Sequence, residues 1–215
     1  MFRKTFFAML VALTANMTLA ATITFEEEVA AISRDHNAAT YHTDDLDERR
    51  EKVETLLARA IDLQKRYPGS AIAHAWVGWL SNGSAGLQTN PQAMAAKWTE
   101  ARKHLETAVT IDPDCCFGYA YVALAMIHQV PIPGMQGPPA VHSYFAKALA
   151  IDPNGVMANA QYAGFLLRTG DLENARKHAG TVLAAPPIPD NPDQDRTSRE
   201  LAQQVLTKVA AQAKK

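Results

Sequence analysis

Small and apolar residues recur at the same three positions ahead of four prolines of this chain. Before Pro113 they lie twelve, eight and five residues upstream, at Ala101, Leu105 and Ala108. Spacings of four and three residues bring such side chains onto one face of an α-helix, and the proline then ends the helix because its ring excludes the next turn. The same positions are occupied by Leu56, Ala60 and Leu63 before Pro68, by Val141, Phe145 and Ala148 before Pro153, and by Ala175, Ala179 and Val182 before Pro187.

The spacing of these prolines predicts a stack of helical repeats. They lie 45, 40 and 34 residues apart, and stacked-helix proteins have periods in this range. Alanine and leucine are plentiful and no stretch alternates as a strand would, so we predict one all-α domain. The expected parts are N-terminal helices over 21–67 (a cap or half-repeat), repeats over 68–113, 114–153 and 154–187, and a C-terminal linker and capping helix over 188–215.

Two segments inside the repeats are predicted to be loops. Asn82–Gly86 combines asparagine, serine and glycine, and Val130–Pro139 contains four prolines. Both lie between the two helices of their repeats and account for proline spacings longer than 34 residues. They are either tolerated loop growth or a lip over one end of a groove, and the second segment is a candidate rim of the binding face.

Residues 1–20 are predicted to be a secretory signal peptide. Arg3 and Lys4 precede an apolar run over 5–15. Thr18-Leu19-Ala20 then has small residues at the positions that a signal peptidase recognises. An uncleaved membrane anchor is the alternative, but the run is short for a membrane span. We therefore expect Ala21 to be the first mature residue, no membrane anchor after cleavage, and a periplasmic or secreted protein.

Charge and motifs exclude several classes of function. Without residues 1–20 the chain has 19 basic and 22 acidic side chains and no basic patch, so nucleic acid is not an expected partner. The sequence contains no phosphate-binding loop, no dinucleotide glycine pattern and no Gly-x-Ser-x-Gly. Its seven histidines lack the spacing of a helical zinc site. We therefore expect no enzymatic activity, no cofactor and no metal site.

Two cysteines, Cys115 and Cys116, are adjacent at a turn before a predicted helix. One interpretation is that one thiol is buried as a small apolar group while the other is partly exposed. In an oxidising compartment, a disulfide between the neighbours, an intermolecular disulfide or capture of a soft metal ion are the alternatives.

Two short motifs accompany the proline pattern. Residues 170–175 read Gly-Asp-Leu-Glu-Asn-Ala, and the triplets Ile111-Asp112-Pro113 and Ile151-Asp152-Pro153 repeat each other. These motifs resemble the turn and the usual ending of the tetratricopeptide repeat family, and the resemblance covers about 71–187. It implies a right-handed helical-repeat solenoid of about three repeats with capping helices at both ends, whose members tend to bind peptides or other proteins.

The resemblance also implies that the first helix of each repeat lines a concave face. The side chains that the helical period places there are mostly apolar and aromatic. The family's carboxylate-binding version has lysine, asparagine and arginine at such positions, so capture of an acidic peptide terminus is not expected. The candidate binding residues are Trp76, Trp79, Phe117, Tyr121, Leu124, His128, Met157, Gln161 and Arg168.

An apolar concave face needs a cover, because large apolar surfaces are seldom left in water. Either a helix over 24–40 fills the groove with Phe25, Val29 and Ile32, or a partner helix or an apolar ligand occupies it. We expect a non-catalytic scaffold that docks a protein or peptide partner in the periplasm. The alternatives are an auxiliary subunit of a periplasmic solute transport system and a small-molecule carrier; the oligomeric state stays open.

Overall fold

The architecture is known from a computed structural model that describes residues 23–131, 133 and 135–212. The expected signal peptide lies outside the described residues. Within them the regular structure is entirely helical, with a single 3₁₀ turn at Cys115–Gly118 and no strand. The helices are α1 Phe25–Tyr41, α2 Leu46–Arg66, α3 Ala71–Gly86, α4 Pro91–Ile111, α5 Tyr119–His128, α6 Pro138–Ile151, α7 Val156–Thr169, α8 Leu172–Ala184 and α9 Pro192–Gln212.

Local sequence sets where several helices begin. The hydroxyl of Thr24 accepts a hydrogen bond from the Glu27 amide at 3.2 Å, and the Glu27 carboxylate accepts one from the Thr24 amide at 2.8 Å. This reciprocal pair satisfies two amides that the first turn of a helix leaves free. Asp45, Ser70 and Asn90 cap the next three helices with a side-chain oxygen in the same way.

The helices pack as successive pairs, which are α3 with α4, α5 with α6, and α7 with α8. The small and apolar residues that precede Pro113, Pro153 and Pro187 are almost completely buried between the members of each pair. Neighbouring pairs also contact each other, through α3 and α4 on α5 and through α5 and α6 on α7. The predicted all-α helical-repeat fold is confirmed, and the stack brings the first helices of the repeats side by side.

Both ends of the stack are covered by helices. At the C-terminal end α9 packs on α7 and α8 and buries Ala202, Val205 and Val209. At the N-terminal end α1 packs on α2 and buries Ile32 in a core cluster shared with α2 and α3. Among the described residues no helix combines the length and apolar character that a bilayer span requires.

The segment Asn82–Gly86 is helical, so its prediction as a loop was wrong. Ser84 is fully buried and its hydroxyl donates a hydrogen bond to the Glu54 carboxylate, which also accepts from the Lys97 ammonium at 3.0 Å. These contacts join α2, α3 and α4. The extra residues of the first repeat therefore lengthen its helices to 16 and 21 residues, against 14 and 13 in the third repeat.

The second long connection is a loop, as its four prolines indicate. It joins α5 to α6, and the structure describes it apart from Ile132 and Gly134. The amide of Gln136 donates a hydrogen bond of 2.9 Å to Nδ1 of His128. Val130, Pro131 and Met135 line a cavity against Phe165 of α7.

The crossing of α3 and α4 depends on Gly78. A Cβ atom at this position would lie 2.5 Å from Cγ of Leu105 and 3.0 Å from the carbonyl oxygen of Ala101. We expect Gly78→Ala to lower the free energy of unfolding by about 1–3 kcal/mol, because the added methyl group overpacks this contact. Urea unfolding measures the change.

The matched control for this prediction is Gly83→Ala in the same helix. A Cβ atom at Gly83 meets nothing within 4 Å, and the residue is exposed. This substitution is expected to raise the free energy of unfolding by about 0.5–1 kcal/mol, because glycine is costly inside a helix. Effects of the same sign at both positions would contradict the assigned helix crossing.

Candidate functional site

A cavity of about 160 Å³ lies on the face formed by the first helices of the repeats. We call it the central cavity. Its apolar part consists of Trp76 and Trp79 from α3, Leu105 from α4, Met157 from α7, and the small residues Ala75 and Ala120. The two tryptophans are three residues apart and share one face of α3. Both indoles are only partly buried, so the cavity opens to solvent.

The polar part of the central cavity comes from the ends of the described chain. Four of these residues belong to α1: Ser33, His36, Asn37 and Tyr41. Asn191 lies in the turn before α9, and Gln194 lies in the first turn of α9. The spacing of the α1 residues puts them on one helical face. The apolar residues Phe25, Val29 and Ile32 instead pack into the core cluster of α2 and α3. Thus α1 covers the first repeat and presents a polar wall, without filling the cavity.

His36 joins α1 to α3 at the cavity wall. Nε1–H of Trp79 donates a hydrogen bond of 3.2 Å to Nε2 of His36, and the imidazole meets the Trp76 ring edge-on at a centroid distance of 5.9 Å. Because Nε2 accepts, the neutral imidazole carries its proton on Nδ1. Burial lowers the pKa of His36 from 6.5 to about 4. His36 is therefore uncharged at neutral pH.

Hydrogen bonds across the cavity connect elements that are far apart in sequence. Nδ2 of Asn191 donates to Oδ1 of Asn37 at 3.3 Å, and Nε2 of Gln194 donates to the Tyr119 hydroxyl at 2.9 Å. Beside them Nε2 of His42 lies 2.8 Å from a carboxylate oxygen of Asp193. We call the contacts between α1 and the segment 191–194 the closing junction. They hold the N-terminal cap against the C-terminal cap.

The central cavity has no formal charge in its wall. Among the described residues that line it, none is aspartate, glutamate, lysine or arginine. The one lining imidazole is neutral, as its lowered pKa requires. A charged group that entered this space would lose water without gaining a counter-ion.

Three of the candidate binding residues meet at the central cavity: Trp76, Trp79 and Met157. Gln161 is half-buried on α7 and does not line it. Arg168 lies at the second cavity, of about 330 Å³, between α7 and the loop that precedes α6, where its guanidinium donates a hydrogen bond to the Gln129 side chain. His128 also borders this second cavity.

The expected face of α5 differs from the observed one. Tyr121, Leu124 and His128 do not reach the central cavity, because α3, α4, α6 and α7 enclose α5 and bury most of its side chains. Leu124 and His128 are fully buried, and Tyr121 stacks on Tyr144 at 6.3 Å between ring centroids. Only the start of the helix, at Tyr119 and Ala120, lines the cavity.

Phe117 also lies away from the central cavity, with 80% of its surface exposed. Cys116 and Phe117 have φ angles of 58° and 52°, and Gly118 has 79°. This left-handed turn directs Cys116 to the cavity and Phe117 to solvent. No helical periodicity predicts such a turn, because each residue in it leaves the helical region.

The two cysteines are free thiols in the structure. Cys115 is buried and Cys116 is partly exposed at the cavity wall. This agrees with the interpretation that one thiol is buried as a small apolar group while the other is partly exposed. A hydrogen bond between the thiols lowers the pKa of Cys115 and, together with burial, raises that of Cys116. Within the described part of the chain, no cluster of three or more histidine, cysteine or acidic residues is placed to bind a metal ion.

The polar residues of the central cavity were not among the candidates. Ser33, Asn37 and Tyr41 recur at intervals of four residues beside the apolar positions of α1, and His36 continues the spacing of Phe25, Val29 and Ile32. These patterns could have identified them. Asn191 and Gln194 carry no comparable signal. They follow a proline-rich segment, and only the packing of α9 brings them to the cavity.

Comparison with known proteins finds no family model and no curated protein that matches the chain. Among solved structures, one similar chain is YrrB, described as a TPR protein with an unusual peptide-binding site. The two share 18% identity, the match covers 86% of this chain and 92% of that one, and the TM-score is 0.44. So distant a likeness does not identify a ligand, and the class of ligand has to be inferred from the cavity of this chain.

The buried imidazole of His36 predicts a fall in stability at mildly acidic pH. In the unfolded chain a histidine binds its proton near pH 6.5, whereas the folded chain holds His36 neutral down to about pH 4. The unfolded state therefore binds more protons in this window. We expect this group to lower the free energy of unfolding by up to about 3 kcal/mol as the pH falls from 6.5 to 4.

Urea unfolding of wild type and His36→Gln at pH 7.5 and pH 4.5 measures this contribution. The variant keeps an uncharged acceptor beside Trp79, so it is expected to lose less stability between the two pH values than wild type. His142→Gln, at an exposed position on α6, is the matched control and is expected to keep the wild-type difference. An equal fall in all three proteins would contradict the role of His36.

Proposed function

We propose that the protein is a non-catalytic scaffold that docks a protein or peptide partner in the periplasm. The partner contacts the face formed by the first helices of the repeats and inserts an apolar side chain into the central cavity. The single observation that supports this proposal most strongly is the cluster of Trp76, Trp79 and Met157 around a cavity that opens to solvent.

The side chains of the cluster suit this task. Tryptophan is enriched among the residues that dominate the free energy of protein binding, and aromatic and methionine side chains are enriched at interfaces. Such residues act most strongly in pockets that exclude water. A cavity that receives one apolar anchoring side chain does not need charged residues in its wall.

A variant that fills the central cavity tests the proposal. Ala120→Leu adds three carbon atoms at a position that lines the cavity, whereas Ala96→Leu makes the same change at an exposed position of α4. We expect wild type and Ala96→Leu, used as bait in a periplasmic extract, to retain the same partner and Ala120→Leu to lose it. Circular dichroism verifies that each bait is folded. A partner retained equally by all three would contradict the proposed site.

A second candidate function is that of a small-molecule carrier. It is favoured by the closing junction, because Asn37 and Asn191 meet across the cavity and narrow access to it. Mass spectrometry of the protein purified from its own periplasm distinguishes the two functions. A low-molecular-mass compound that co-purifies with wild type and is absent from Ala120→Leu would favour the carrier.

The periplasmic location is a further part of the proposal and rests on residues 1–20. Expressed from residue 1 in a Gram-negative host, the chain is expected in the periplasmic fraction with an intact mass that begins at Ala21. Ala20→Asp should block cleavage, because the peptidase requires a small residue at that position. Recovery of uncleaved wild type from the cytoplasm would contradict the location.

A further inference from the structure

We infer that the central cavity receives an uncharged aromatic ring that carries a neutral polar group, of the phenol or indole type. The ring is either the side chain of a partner peptide or a free small molecule. This inference rests on the proposed function and specifies the chemistry that its site recognises. It is based on four properties of the cavity, which are its size, its apolar walls, its lack of charge and the arrangement of its hydrogen bonds.

The size of the central cavity limits its occupant to about one small aromatic group, such as a phenol or an indole. Its volume is about 160 Å³. An engineered apolar cavity of about 150 Å³ in another protein accommodates benzene. A single aromatic ring with one small substituent therefore fits, whereas a folded element such as a helix does not. The rest of a larger ligand has to lie outside, along the face of the stack.

The apolar walls favour a flat ring over a branched aliphatic group. Trp76 and Trp79 supply two indoles, Met157 adds a polarizable thioether, and Leu105 is the one branched aliphatic side chain among the described lining residues. Aromatic pairs gain about 0.5–1.5 kcal/mol beyond the burial of their area, and thioethers make favourable contacts with rings. An aliphatic group of the same volume gains only the burial.

The lack of charge in the wall excludes carboxylates and ammonium groups from the central cavity. Among the described lining residues there is no acidic or basic side chain, and the imidazole of His36 is neutral. Transfer of an ionised group into such a space costs several kcal/mol unless a counter-ion compensates for the lost water. His42 and Asp193 beside the closing junction contact each other at 2.8 Å, and neither of them lines the cavity.

The hydrogen bonds of the wall provide for a polar substituent on the ring. The Tyr119 oxygen accepts a hydrogen bond from Gln194, so the hydroxyl proton is left to donate. Within the described part of the chain no acceptor for that proton is present. Asn37 adds an amide group that can both donate and accept, whereas the N–H groups of Asn191 already donate to Asn37 and to Gln194. A phenol oxygen can accept the Tyr119 proton, and a phenol O–H or an indole N–H can donate to the Asn37 amide oxygen, whereas a purely apolar ring does neither.

Isothermal titration calorimetry with small probes tests the inference on the wild-type protein. We expect p-cresol and indole to bind, benzoate and benzylammonium to bind at least tenfold more weakly, and 4-methylcyclohexanol to bind more weakly than p-cresol. Benzoate or benzylammonium as tight as p-cresol would overturn the claim of neutrality. Equal binding of 4-methylcyclohexanol would overturn the claim of aromaticity, and no binding of either ring at millimolar concentration would overturn both.

Filled-cavity variants assign the binding to this cavity. Ala120→Leu is expected to weaken p-cresol at least tenfold and Ala96→Leu to leave it unchanged. Because Ala120 also contacts the core, Ser33→Leu provides a second variant that fills the cavity from the half-buried face of α1. Thermal unfolding verifies that each variant is folded. Unchanged affinity in both folded variants would place the ring elsewhere and overturn the assignment.

The same titrations distinguish the two sources of the ring. A capped tripeptide with a central tyrosine that binds more tightly than p-cresol indicates a peptide partner, and p-cresol as the tighter ligand indicates a free small molecule. The proposed function can survive the failure of this inference. If a protein partner is retained by wild type and lost by Ala120→Leu while no ring probe binds, the scaffold stands and the aromatic class is wrong.

Discussion

Within the described part of the chain, each helix carries small and apolar side chains that it cannot bury alone. Alanines such as Ala101, Ala148 and Ala175 let neighbouring helices approach closely, and Gly78 leaves no room for a side chain between α3 and α4. Stacking buries these side chains between helices, so the end helices need covers. Ile32 of α1 covers one end, and Val205 and Val209 of α9 cover the other. The arrangement of the caps follows from this one constraint.

The candidate site is a consequence of the caps. Ser33, Asn37 and Tyr41 give α1 a polar side that borders the cavity, and His36 of the same helix contacts both tryptophans of α3. The start of α9 completes the wall through Asn191 and Gln194. The hydrogen bonds that hold the caps together also bound the cavity, so stability and the proposed binding depend on the same contacts. A ligand that strengthens the closing junction is expected to stabilise the fold by mass action.

Long regular helices made part of the site predictable. Trp76, Trp79 and Met157 lie on helices whose period continues without interruption, so their common direction could be read from spacing. The face of α5 could not be read in this way. The left-handed residues Cys116 and Phe117 reset its orientation, and four neighbouring helices enclose it. The glycine and serine residues of 82–86 indicated a loop, but tertiary contacts of Ser84 with Glu54 keep the segment helical.

The sequence by itself determined most of the helices, their arrangement in pairs, and the common face of Trp76, Trp79 and Met157, because these depend on periods and prolines that are local in the chain. It did not determine the central cavity. Asn37 and Asn191 are 154 residues apart, and their contact exists only because the stack brings α1 and α9 together. The absence of charge around the cavity was decided in the same way, since it depends on which face of each helix turns inward. The repeats follow from sequence patterns that are local in the chain, and the cavity follows from how the repeats and the two caps pack together.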